Sequence, residues 1–180
     1  MTTKEMAAEE TTTDEIEGAD EKLIDPVVEQ PGFDDTQSRV ALFGHPIHAM
    51  SVAFPVALTF STFGADALYW WTGDPFWTRA AIWAVGGAFL IGMFAGLSGT
   101  AELLLVPGIR ARAAAWTHFI IAVTLLSLLG ANWGYRLGDA EGAVLPFGLL
   151  LSAISTGVVI LTGWHGGKLV FDYGLGTKGS

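Results

Sequence analysis

Four stretches of this chain contain no Asp, Glu, Lys or Arg: Val40 to Ala65, Ala80 to Ala101, Ala113 to Tyr135 and Gly142 to Gly167. Each reaches the roughly 20 apolar residues that a helix rising about 1.5 Å per residue needs to cross a hydrocarbon core of about 30 Å. In lipid every backbone amide must find its partner within the segment, so the windows predict helices rather than an open sheet. The expected fold is all-α, an integral membrane four-helix up-down bundle with spans at about 47–71, 79–103, 114–134 and 144–164.

Charge is divided just as sharply. Residues 1–40 hold 12 of the 18 acidic and 3 of the 9 basic side chains, so this tail carries the whole net charge of −9. It has no run able to bury enough surface to offset the entropy of ordering, and is expected to be a disordered acidic cytoplasmic tail preceding a transmembrane domain over 41–177. No charged start, apolar core and small-residue cleavage site follow one another, so a retained N-terminus is expected. The domain itself is too poor in charge for the surface of a soluble enzyme. The absence of cysteine excludes disulfides, thiolate nucleophiles and Cys-based metal sites. An acidic chain without a basic stripe is also a poor nucleic-acid binder.

Basic residues suggest an orientation. Arg39, Arg110, Arg112 and Lys168 flank one side of the four spans, and Arg79 and Arg136 the other. By the positive-inside rule both termini face the cytoplasm. Tyr69, Trp70, Trp71, Trp77, Trp133 and Tyr135 would form the outer aromatic belt, and Trp116, Trp164 and Tyr173 the inner one. The second span is rich in glycine, and Gly92-x-x-x-Gly96 offers a small-residue face for close helix approach or a homodimer.

All four histidines, His45, His48, His118 and His165, fall at the cytoplasmic ends of these spans. In Gly44-His45-Pro46-Ile47-His48 the proline suits a first helical turn, and His45 and His48, three apart, would share a face. His118 lies at a similar depth on the third helix, the diagonal neighbour of the first in an up-down bundle, where helix bundles build cofactor sites. A haem b held by His118 with His45 or His48 would carry electrons, with Phe43, Phe54, Trp116, Phe119 and the second-span glycines as lining. Zinc or copper would need three or four ligands from His45, His48, His118 and His165, with Glu102 as a further donor. A proton-handling cluster or conduit is a third chemistry, because intramembrane ionisable groups are costly. A non-catalytic membrane anchor or assembly subunit, its acidic tail docking a basic redox or membrane-complex partner, is the alternative of another class. Other polar groups have structural readings: Asp66 pairs with Arg79 or Arg136, Glu102 with Arg110 and Arg112, and Asn132 bonds across helices. No nucleophile elbow, P-loop or dinucleotide fingerprint is present.

Gly44-His45-Pro46-Ile47-His48 running into Phe54-Pro55-Val56-Ala57, then Asp66, the Gly96 to Glu102 turn, Arg112 and His118, and the ending Gly163-Trp164-His165-Gly166-Gly167-Lys168-Leu169-Val170 through Gly174-Leu175-Gly176 resemble bacterial membrane proteins grouped as Domain of Unknown Function 2231. The likeness covers about residues 40–177. It implies a four-helix domain of the bacterial inner membrane and carries no established activity; members look like small haem-carrying cytochrome subunits. By the same resemblance His45, His48 and His118 occupy the family's histidine positions. His165 stands where an apolar residue is usual, and Glu102 where an aspartate is expected.

Overall fold

The structure, a computed structural model, describes residues 34–175. The acidic tail up to residue 33 and the last residues of the expected domain, 176 and 177, lie outside them. A two-residue hairpin opens the domain, β1 (Ala41–Leu42) pairing antiparallel with β2 (His45–Pro46). Its turn residues Phe43 and Gly44 both have positive φ, 51° and 80°, the mirror-image turn whose twist matches the strands. Pro46, extended at φ −61° and ψ 121°, then caps α1 (Ile47–Ser51), which continues across Val52 into α2 (Ala53–Thr72).

Local chemistry sets the next boundaries. Gly73, at φ 67°, takes the left-handed position that ends α2, and its N–H donates to the Tyr69 carbonyl at 2.8 Å. Asp74 caps α3 (Pro75–Leu105), accepting from the Phe76 N–H at 2.9 Å, and Pro75 occupies the first helical position, where its missing N–H costs nothing. Pro107 opens the single turn α4 (Pro107–Arg110), and α5 (Ala113–Arg136) follows. A wide turn at Val144–Gly148, where Leu145 leaves helical geometry, leads into α6 (Leu149–Phe171).

Among the described residues four helical segments are therefore long and apolar enough to cross a membrane: Ile47–Thr72, Pro75–Leu105, Ala113–Arg136 and Val144–Phe171. The second begins four residues before its expected start because the Asp74-Pro75 cap lies upstream of Arg79, the charge that had bounded the window. The fourth runs seven residues past 164, because Gly166 and Gly167 sit within a helix that Gly174 ends at φ 61°.

α2 packs on α3 and α6, and α5 packs on the same two helices, so the first and third spans face each other diagonally. Their middle is apolar: Val85 and Ala88 of α3, Leu125 and Leu129 of α5 and Val159 of α6 form the core. Large apolar side chains cover the outside, Trp83 at 81% exposure and Trp164 at 70% among them, as a lipid-facing surface requires. The close approach expected at Gly92 and Gly96 is made within the chain. A Cβ on Gly92 would lie 2.8 Å from Leu126, and one on Gly96 3.1 Å from the same side chain.

Candidate functional site

Polar side chains gather at two levels, one near each end of the bundle. At the Arg136 end, Asp66 of α2 and Arg136 of α5 form a two-pronged ion pair, Nη1 to Oδ1 at 2.8 Å and Nη2 to Oδ2 at 2.7 Å, and both side chains are fully buried. Ser152 of α6 donates to Asp66 Oδ2 at 2.6 Å, and Arg136 Nε donates to Asn132 Oδ1 at 2.8 Å. Of the two partners expected for Asp66, Arg136 is the one it has. Asn132 does not bond across helices, because its carbonyl oxygen is taken by the arginine one turn along its own helix. Ser152 had no sequence signal beyond being a hydroxyl in a charge-free span. This cluster ties three helices together with every charge matched, and reads as a structural clasp.

At the other end His48 and His118 meet across the diagonal, ring centres 6.2 Å apart and planes at 84°. His48 hangs from α1, and its Nδ1 donates to the Ala95 carbonyl of α3 at 2.8 Å, which leaves Nε2 as the free lone pair. The ring lies flat against Gly99: a Cβ there would be 2.6 Å from Nδ1. His118 of α5 is pressed against α6, where a Cβ on Gly166 would lie 3.1 Å from its Cε1. Its Nδ1 is buried without a hydrogen-bond partner. His48 is thus held by a hydrogen bond and His118 by packing against a neighbouring helix. The two glycines and the Ala95 carbonyl that position the rings carry no chemistry of their own in a sequence.

The other two histidines are placed differently. His45 belongs to β2, before the helix starts, so the three-residue spacing does not put it on a face with His48; it is exposed, with Nδ1 3.1 Å from the Phe43 carbonyl oxygen. His165, half-buried on α6, lies within electrostatic range of His118. Among the described residues no three His, Asp or Glu side chains converge closely enough to hold a metal ion together.

The expected lining for a haem does not assemble around the pair. Phe43 is 93% exposed and Phe54 61% exposed. The second-span glycines, which were to give a macrocycle a smooth wall, are covered by protein: Gly86 by Trp133, Gly87 by Leu58, Gly92 and Gly96 by Leu126, and Gly99 by His48. An open apolar groove of about 550 Å³ does exist, but it lies at the Arg136 end between α2 and α6, lined by side chains such as Phe63, Trp70, Phe147 and Leu150.

Glu102 corrects another expectation. Its Oε1 accepts from the Ser38 hydroxyl and from the Val40 N–H, so its partners come from the N-terminal segment, not from Arg110 or Arg112. Those arginines donate to the Leu104 and Gly108 carbonyls.

The model of a protein family described as predicted membrane proteins, DUF2231, matches residues 44–179. The chain belongs to this family. The match takes in all four helical spans, both imidazoles and the clasp at the opposite end. No curated protein and no solved structure matches the chain.

Proposed function

We propose that this multi-pass membrane protein works through His48 and His118 as paired ligands to one metal ion of the kind imidazole favours: copper, zinc or iron. The observation that carries the reading is the spacing of the two rings. Two imidazoles that each bond one ion at about 2.0–2.1 Å have ring centres from about 5.2 Å apart at a tetrahedral angle to about 6.4 Å on opposite sides, and the 6.2 Å here lies at the upper end of that range. The backbone anchor on His48 supports it, since a carbonyl on one ring nitrogen orients the other towards a metal. Two protein ligands leave the remaining positions to water, to His165 or to a redox partner's group.

The test is elemental analysis of purified full-length protein after exposure to copper, zinc and iron salts, with an absorption spectrum alongside. One metal per chain is expected, lost in His48→Ala and His118→Ala and kept in His45→Ala. A haem b on the same two ligands is the second reading, favoured by the spacing and the crossed ring planes. It requires Leu126 to leave Gly92 and Gly96, the covered glycines nearest the histidine level. A Soret band that disappears in His118→Ala would establish it in place of the single ion. Protein with neither metal nor haem would leave the anchor or assembly subunit.

The placement of Arg39, Arg110, Arg112 and Lys168 supports setting the histidine end and both termini on the cytoplasmic side of a bacterial inner membrane. The chain has no cysteine, so single cysteines report cleanly. Gln37→Cys should resist a membrane-impermeant maleimide in intact cells, and Gly138→Cys should react. The reverse pattern would invert the topology.

A further inference from the structure

Two carboxylates are buried in the bundle, and they are satisfied very differently. Asp66 receives two arginine bonds and a serine bond. Glu102, 8% exposed, receives two neutral donors on Oε1, while its Oε2 is buried with no hydrogen-bond partner. The arginines of this end are engaged elsewhere: Arg39 with Asp35 at 2.7 Å, Arg110 with the Leu104 carbonyl, and Arg112 with the Gly108 carbonyl and the Tyr173 ring, while Lys168 is exposed on α6. A bare carboxylate oxygen in an apolar setting is costly unless a cation or donor visits it.

Its position on the helix says which way such a visitor travels. Ala95, which holds His48, Gly99, against which His48 packs, and Glu102 fall at helical spacing along one face of α3. At about 1.5 Å per residue Glu102 sits about 4.5 Å outward of Gly99 and the same distance inside the end of α3 at Leu105. It lies between the histidine level and the end of the bundle. Over it runs an irregular strap, Asp35 to Val40, held by Ser38 and Val40 on Glu102 and by the Gly108 N–H on the Asp35 carbonyl at 3.1 Å.

We infer that Glu102 is the entry point at which a metal cation is first bound on its way to His48 and His118. The inference rests on the reading of that pair as an ion site. Glu102 attracts the cation by its charge, the strap covers the position, and the imidazoles one turn deeper receive the ion.

The experiment follows Cu²⁺ uptake by the full-length protein in detergent at low ionic strength, sampled over time by chelator quench and metal analysis. Glu102→Gln keeps an acceptor for Ser38 and Val40 and replaces the charged, unpartnered oxygen with a neutral amide N–H₂. It should slow uptake about tenfold or more, in the range charge-steered association covers, without changing the final one copper per chain. Glu102→Asp should restore most of the rate. A variant that merely loosened the strap would load faster, so a slowing rescued by aspartate identifies the charge. Wild-type rate in Glu102→Gln, or slowing that aspartate does not rescue, would overturn the entry role and leave the histidine site standing. No copper uptake by the wild type would bring down both.

Discussion

Replacing Arg136 with alanine should destabilise the folded bundle by about 3–5 kcal/mol, because it leaves the Asp66 carboxylate buried and uncompensated. The reasoning is asymmetric. Burying the pair is nearly neutral, since the attraction between Asp66 and Arg136 mainly repays the cost of removing both from water; breaking it leaves that cost unpaired. Asp66→Ala should cost less than Arg136→Ala if Asn132 still holds the guanidinium, and replacing both should recover part of the loss. Reversible unfolding in mixed detergent micelles, with the coupling energy taken from the four-way cycle, checks this. A loss below about 1 kcal/mol for Arg136→Ala, the average scale of polar contacts between membrane helices, would mean that the clasp finds substitutes.

Gly99→Val should abolish the histidine site as completely as removing an imidazole. A Cβ at this position would meet His48 Nδ1 at 2.6 Å and Cε1 at 2.8 Å, and valine adds two methyl groups beyond it. The ring must swing away, which breaks its 2.8 Å bond to the Ala95 carbonyl and moves it from His118. Overpacking costs about 1–3 kcal/mol, reduced slightly because valine suits a helix better than glycine. The expected result is a protein that still folds, with the Asp66–Arg136 clasp intact, and that binds no metal. Gly99→Ser, smaller, should keep part of the binding. Full metal content in Gly99→Val would show that His48 is not held where its function needs it.

Much of this architecture is legible in the chain because a bilayer leaves few choices. The charge-free windows, the proline before His48 and the two arginines available to Asp66 all follow from rules that act on local sequence. What escaped has a physical reason in each case. Spacing alone groups His45 with His48, but the Phe43-Gly44 turn makes it part of a hairpin. Glu102 had arginines close by in sequence, yet its partners are Ser38 and Val40, 64 and 62 residues away. The glycines of α3 read as smooth wall for a cofactor, whereas tertiary packing fills each with a side chain from a neighbouring helix. Composition shows where a surface is bare, and only packing shows what lies on it.

The apolar layer of Val85, Ala88, Leu125, Leu129 and Val159 separates the two polar levels completely enough to have an electrical consequence. The hydroxyls buried in the bundle beside it, Thr59, Thr62 and Ser155, each donate to a carbonyl of their own helix, so they add no polar link across the layer. Under the proposed reading, moving an ion from the imidazoles to the Asp66–Arg136 pair would mean carrying charge through this low-dielectric slab, which is costly.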